Sequence, residues 1–320
     1  MAGAWREFAQ RVAAMVPAAL LATLLVFALL HLVPGDPAVT LAGENASAAR
    51  ITEIRHLTGL DRPLTVQYLV WLNGVLHGDL SHSLLSGMPV AQAIAEKLPL
   101  SLFIVVLAIG FALILGIPLG ILAATHAGSI MDGAVSALAA LGVALPNFWL
   151  AMILVALFAV DLHWLPATGA VPLRDNPSQA LRHATLPALA LAAGGMAEVA
   201  RQVRGALTFV LRAPFVRTLH AKGLPAAAIV WRHGMRNIAA LLLTLVALLF
   251  NRMLGATVVI ETVFAIPGIG STMVEAAVGK DFPMVQGVVL VMALLVIVSN
   301  LLVDLVIGWI DPRGRRSVGP

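Results

Sequence analysis

Six stretches of the chain carry almost nothing but apolar side chains: 12–33, 98–124, 133–160, 184–200, 238–260 and 283–310. About 20 apolar residues in a helix cross the hydrocarbon layer of a bilayer, so the pattern predicts six membrane-spanning helices. The fourth is the shortest and is rich in glycine, and the third is interrupted at Pro146-Asn147. Within the second, Gly116 and Gly120 have the spacing that lets two helices approach closely in lipid. The pattern changes at 65–76, where apolar residues recur at helical spacing with polar residues between them. Tyr68 and Trp71 suit the headgroup layer, so this segment is expected as an amphipathic helix lying on the outer surface or capping the bundle.

Composition agrees with a lipid solvent: 60% of the 320 residues are apolar and 11% are charged, against about 25% charged in soluble domains. A sequence pI of 10.3 suggests nucleic-acid binding, but the net charge is only +4. The distribution of that charge gives another cause. Between 201 and 236 there are seven Lys/Arg and no acid, whereas 34–97 holds six acids against four bases. Arg6 and Arg11 precede the first span, and Arg313, Arg315 and Arg316 follow the last. Positive charge marks cytoplasmic segments, so both termini and 201–236 are expected inside and 34–97 outside. The first span has a basic lead, but its 22 residues exceed a 7–15-residue signal-peptide core and predict a retained anchor. Cysteine is absent, which excludes disulfides and thiolate metal sites.

The basic island at 201–236 contains the most informative segment. Pro214-Phe-Val-Arg-Thr-Leu-His-Ala-Lys-Gly223 reads as a short cationic helix, with proline at its first turn and glycine at its stop. Such a helix is more than a turn between spans requires, since connections in helical bundles need only about 2–8 residues. No nucleophile elbow, metalloprotease helix or phosphate-binding loop occurs, so the chain carries neither a recognisable catalytic set nor its own nucleotide motor. His77, Asp79 and His82 form at most a weak metal pattern, and no metal site is assigned. Inside the spans the candidate charges are Glu198, Arg252 and Asp304. Arg252, beside Asn251, lies 16 residues or about 24 Å beyond Arg236 along a helix. An arginine there costs about 2.5 kcal/mol or more if it faces lipid, so it is expected either in a buried pair or on a wet translocation path. Glu198 precedes Arg201 by less than a turn and is expected near the cytoplasmic boundary. Asn251, Arg252 and Glu198 are the candidate path residues.

Ordered fragments then carry a family resemblance. They are Leu32-Val-Pro-Gly-Asp-Pro-Ala38, Gly59-Leu-Asp-Arg-Pro-Leu64, Val66-Gln-Tyr68, Gly78-Asp-Leu80, Pro146-Asn-Phe-Trp-Leu150 and Trp164-Leu-Pro166. Arg217-Thr-Leu-His-Ala-Lys-Gly223 and Arg232-His-Gly-Met-Arg-Asn237 follow in the basic island. Glu261-Thr-Val-Phe264, Pro267-Gly-Ile-Gly270, Asp281-Phe-Pro283, Val285-Gln-Gly287, Asn300-Leu-Leu-Val-Asp304 and Asp311-Pro-Arg313 complete the series. Together they resemble the permease subunits of ABC importers, in the peptide/nickel branch, almost end to end.

That resemblance implies an all-α membrane protein with six transmembrane helices, cytoplasmic termini and the ABC importer permease fold. It divides the chain into 1–33 (N-terminus and first span), 34–97 (extracytoplasmic), 98–310 (permease core with a coupling loop at 201–236) and 311–320 (tail). It implies a non-catalytic subunit of the bacterial inner membrane. The expected partners are a homologous second permease in a heterodimer, two ATPase subunits that bind the ATP and Mg, a substrate-binding protein outside, and membrane lipid. No nucleic acid is expected, and no cofactor in this chain. The residues it marks for ATPase coupling are Pro214, Phe215, Arg217, Thr218, Leu219, Ala221, Lys222 and Gly223. Arg217, Thr218 and Leu219 stand at the family's Glu-Ala-Ala element, where Leu219 is a departure that enlarges the apolar contact. The implied cargo is a di- or oligopeptide, with nickel or a metal chelate as the alternative. The rival from another class is an ion-coupled carrier acting alone.

Overall fold

The computed structural model describes residues 13, 15–28, 37–43, 46–57 and 59–310. Arg6 and Arg11, the Leu32–Asp36 part of the first-span motif, and Arg313, Arg315 and Arg316 lie outside the described residues. Among the described residues the chain is helical, with only an isolated bridge between His82 and Pro89. The helices are α1 (Met15–Ala28), α2 (Pro37–Ala42), α3 (Ala48–Leu57), α4 (Leu64–Leu76), α5 (Val90–Thr125), α6 (Ile130–Ala144) and α7 (Asn147–Asp161). They continue with α8 (Pro177–Leu211), α9 (Pro214–Ala221), α10 (Ala239–Val263), α11 (Ile269–Val278) and α12 (Phe282–Ile310).

Three of these, α5, α10 and α12 (to Gly308), are long and apolar enough to cross a membrane. The pair α6 and α7 makes a fourth candidate if the two count as one span. The interruption expected at Pro146-Asn147 is a bend of 101° rather than a kink in a through-going helix. Proline disfavours helical backbone in the residue before it, and Leu145 is extended (φ −78°, ψ 126°), as is Pro146 itself. The fourth stretch differs most from its expected 184–200. It belongs to a 35-residue helix that runs on through Arg201 and Arg204 to Leu211. The charges that lower its hydropathy are accommodated within the helix: Gln202 Nε2 donates to Glu198 Oε1 at 3.0 Å, and Arg201 pairs with the same carboxylate.

The described residues form two compact units, one of residues up to 99 with 267–301, the other of 100–266 with the end of α12. In the first, α4 lies against α1: Thr23 Oγ1 and Tyr68 Oη are 2.9 Å apart, and Phe27, Tyr68 and Trp71 stack their rings with centroids 5.4–6.2 Å apart. A buried carboxylate, Asp281, accepts from the Ser83 hydroxyl and, at 3.0 Å, from the Leu84 amide. It also accepts from Met284 N at 3.3 Å, so one side chain ties the loop at 83–84 to the first turn of α12. The core around it is Val90, Ile94, Ile269, Met284 and Val288.

In the second unit α8 is central. Gly116 and Gly120 of α5 face it so closely that a Cβ on either would come within 2.7 Å of a carbonyl oxygen, that of Met196 or Ala200. The matching four-residue steps on both helices are the close approach expected from the glycine spacing. Leu186, Leu191, Val199, Val203 and Leu207 of α8 join Ile104, Leu249, Met253 and Ile260 in a continuous core. On the other side α8 packs along α6 and α7.

Candidate functional site

The site is built on α9. Ala213 is extended (φ −66°, ψ 148°), as a residue before proline prefers, and this turns the chain out of α8. Pro214 then occupies the first helical position, where its missing N–H removes no helix bond and its fixed φ suits the turn. At the other end Gly223 N donates to the His220 carbonyl at 2.9 Å and Leu224 N to the Leu219 carbonyl at 3.2 Å. With Gly223 at φ +75°, this is the double bond of a Schellman cap, a conformation that a side chain at 223 would strain. The eight-residue helix is therefore stopped by geometry at both ends.

Its faces divide by chemistry. Val216 is buried at 5% exposure, and Leu219 and Leu224 are half-buried beside the cap that joins them. Arg217, Thr218, His220, Ala221 and Lys222 are exposed, and Phe215 keeps 41% of its surface open. Of the residues marked in the sequence, Phe215, Arg217, Thr218 and Lys222 share the open side of the helix. Leu219 turns partly inward and serves the cap as well as the surface. Val216, which sequence reading passed over, is the anchor. Its signal was the spacing Val216–Leu219, two apolar positions three apart in a charged segment.

The chain after α9 returns to the bundle. Ile229 and Val230 are buried in a π-helical turn at Ile229–Gly234, and Gly234 backs onto Leu207 of α8. Trp231, Arg232 and Arg236 remain exposed. The seven cations of 201–236 are thus of two kinds. Arg201 pairs with Glu198, and Arg204 makes a two-pronged pair with Asp132 of α6, Nη2 to Oδ2 at 2.7 Å. Asp132 is buried and also accepts from the Gly128 amide at 2.9 Å, so this pair fixes α6 to α8 near the basic segment. The other five, Arg212, Arg217, Lys222, Arg232 and Arg236, are exposed. The result is a short helix with defined ends in an exposed patch of positive charge.

The path candidates lie elsewhere. Arg252 is exposed on α10, and its Nη2 passes over Gly194 of α8, 3.9 Å from where a methyl group on that glycine would be. It makes no salt bridge among the described residues, and its guanidinium lies open beside small residues. Glu198 is committed to Arg201 and Gln202, and Asn251 is half-buried. The structure does not join Arg252 to Glu198. It instead reveals a buried acid that hydropathy concealed: Glu261 is fully buried near the end of α10 and accepts from the Ser101 hydroxyl of α5. Among the described residues no group of three or more potential ligands is placed to hold a metal. His77 bonds the Asn73 carbonyl and Asp79 the Ser81 amide instead.

Comparison with known proteins places this arrangement. Residues 116–316 match the family model of the binding-protein-dependent transport system inner membrane component, and 5–105 match the N-terminal model of such membrane components. The chain is 40% identical over 306 residues to a putative peptide transport system permease protein of Brucella abortus, covering 96% of this chain and 98% of that one. It is 35% identical over 332 residues to the dipeptide transport system permease protein DppB of Escherichia coli K12, covering 96% and 98%. Against the glutathione transport system permease protein GsiC of Pectobacterium atrosepticum it is 37% identical over 308 residues, again covering 96% and 98%. In fold it resembles the inward-facing MetNI methionine ABC transporter, with a TM-score of 0.58 at 17% identity over 69% of this chain and 97% of that one.

Proposed function

The chain belongs to the family of binding-protein-dependent transport system inner membrane components, and on that premise we propose that α9 is the handle by which a separate ATPase drives it. The protein is a peptide ABC importer permease subunit of the bacterial inner membrane. It contributes no catalytic step of its own. Its cargo is a di- or oligopeptide, delivered from outside by a binding protein and passed between this chain and a second, homologous permease. Two ATPase subunits hold the ATP and Mg. The topology that goes with this reading has six spans, both termini inside, and 34–97 outside.

One observation carries the coupling role: a helix started by proline and stopped by a glycine cap, anchored by buried Val216 with half-buried Leu219, and otherwise exposed within a segment that has seven cations and no acid. A connector needs none of these features, whereas a docking handle needs all of them. Arg252 and Asn251, on the open side of α10 next to the small residues of α8, are the candidate lining of the path. An unpaired guanidinium there attracts the carboxylate of a passing peptide.

The coupling role is tested in the assembled transporter reconstituted in liposomes. Gly223→Val forces a β-branched residue to φ +75°, and Arg217→Glu reverses the charge of the open face. Each is expected to cut peptide uptake by about tenfold or more while ATP hydrolysis continues and the complex still assembles, a loss equal to about 1.4 kcal/mol of coupling. Full uptake in both variants would remove α9 from the coupling step. Arg252→Gln at an unchanged protein level is expected to lower uptake as well, and unaltered transport would exclude it from the path.

A further inference from the structure

A polar cleft lies at the end of α8 remote from α9. Arg182 and Leu211 are 29 residues apart on this helix, about 44 Å, more than the hydrocarbon thickness of a bilayer. In the topology proposed above, the Arg182 end is therefore extracytoplasmic. There the loop after α7 and the first turns of α8 border an open depression of about 360 Å³. Its lining includes the apolar Leu165 and Pro166 and the polar His163, Gln179, Arg182 and His183. No acid lines it.

The polar groups are held in place. Arg182 Nη2 donates to the Trp164 carbonyl at 3.1 Å. His183 Nδ1 is 3.2 Å from the Thr168 carbonyl, and His163 Nδ1 is 3.3 Å from the Asp161 carbonyl. All three basic side chains are thus tethered through one nitrogen to the backbone of the same loop. That loop is itself pinned. Trp164 N donates to the Phe158 carbonyl at 2.9 Å, the Phe158 and Trp164 rings pack with centroids 5.7 Å apart, and Gly169 N donates to the Phe264 carbonyl at 2.9 Å. His163 is held at φ +55°, a conformation few residues other than glycine adopt without surrounding support.

We propose that this cleft is a recognition site for the C-terminal end of the peptide cargo at the outer mouth, a reading that rests on the peptide-permease function above. The chemistry selects that group. The remaining N–H groups of Arg182 and the amide of Gln179 are donors for a carboxylate, and a guanidinium–carboxylate bond is among the strong ones. A carbonyl accepts only from a protonated nitrogen, so each tethered imidazole holds a hydrogen on Nδ1 and leaves Nε2 to face a ligand. A peptide end supplies a carboxylate for the donors and, across the last Cα, one N–H for an imidazole nitrogen. Leu165 and Pro166 receive the last side chain.

The test uses the complete transporter with its binding protein, radiolabelled alanyl-phenylalanine as the probe, and a photo-crosslinking p-benzoylphenylalanine at position 165. During ATP-driven uptake the label is expected to attach to this chain. Arg182→Gln should reduce both crosslinking and uptake by about tenfold, the size of a lost hydrogen bond to a charged group. Arg182→Lys should retain part of both, and neither change should alter the affinity of the binding protein for the complex. Crosslinking to the binding protein alone would make the cleft a docking contact and overturn the proposal. So would peptide crosslinking that is indifferent to Arg182→Gln. If the unsubstituted complex fails to take up alanyl-phenylalanine, the peptide-permease reading falls and this inference with it; normal uptake without crosslinking to position 165 overturns the inference alone.

Discussion

Helices α4 and α9 are similar in kind and opposite in what they show. Both are short, both are amphipathic by spacing, and both leave most of their surface outside any core. In α4 no residue is buried, and the exposed positions include Leu64, Val66, Leu69 and Val70. In α9 one residue is buried and the open positions carry Arg217, His220 and Lys222. An apolar face without a protein cover is stable next to hydrocarbon, while a charged one is stable in water or against a protein partner. Exposure alone therefore says little about role, and the chemistry of the exposed face decides it. The anchoring follows the same division. Tyr68 and Trp71 hold α4 by ring contacts and a hydroxyl to its neighbour, whereas α9 depends on backbone caps and Val216.

The comparison breaks most severely at that anchor. Val216→Asp places a carboxylate in an apolar site at a cost of about 2 kcal/mol or more, enough to release α9 from its seat. The expected outcome is loss of ATPase subunits from the purified complex, read by co-purification, with membrane insertion intact. Retention of the ATPases at wild-type ratio would show that the anchor is dispensable. A milder probe exploits the absence of cysteine, since any introduced thiol is the sole label site. A spin label at Leu69→Cys is expected to collide preferentially with oxygen dissolved in lipid. One at Thr218→Cys should collide with a water-soluble relaxation agent and become shielded when the ATPases bind. Identical accessibilities at the two sites would erase the distinction between the helices. The smallest effect is expected from Tyr68→Phe, which removes the bond to Thr23 and lowers stability by about 1 kcal/mol, measured as a shift in the thermal midpoint.

How much of this was legible before the structure depends on whether the cause was local. The ends of α9 were, because Pro214 and Gly223 act through their own backbone preferences. The closeness of α5 to α8 was foreshadowed by Gly116 and Gly120 for the same reason. The bend at Pro146 was legible as an interruption but not as 101°, since the angle depends on what α6 and α7 pack against. The length of α8 was hidden because hydropathy falls at Glu198 and Arg201, although their spacing of three suits a pair on one continuous helix. The buried acids were least visible. Glu261 finds Ser101 and Asp281 finds Ser83 across 160 and 198 residues, and an acid near the end of an apolar run looks the same whether it meets water or a hydroxyl. Leu219 looked like a pure surface contact until the cap at Gly223 gave it an inward duty.

The 35-residue length of α8 has a mechanical corollary. A rod of about 52 Å that pivots near its middle converts rotation into opposed displacements at its tips. A rotation of about 10° sweeps each tip through roughly 4.5 Å, nearly one helical turn. The tip at Leu211 precedes α9, and the first turns at the opposite tip carry Arg182. A push at one end reaches the other with its sign reversed so long as the helix keeps straight through Pro187 and Gly194-Gly195, the positions where it would bend.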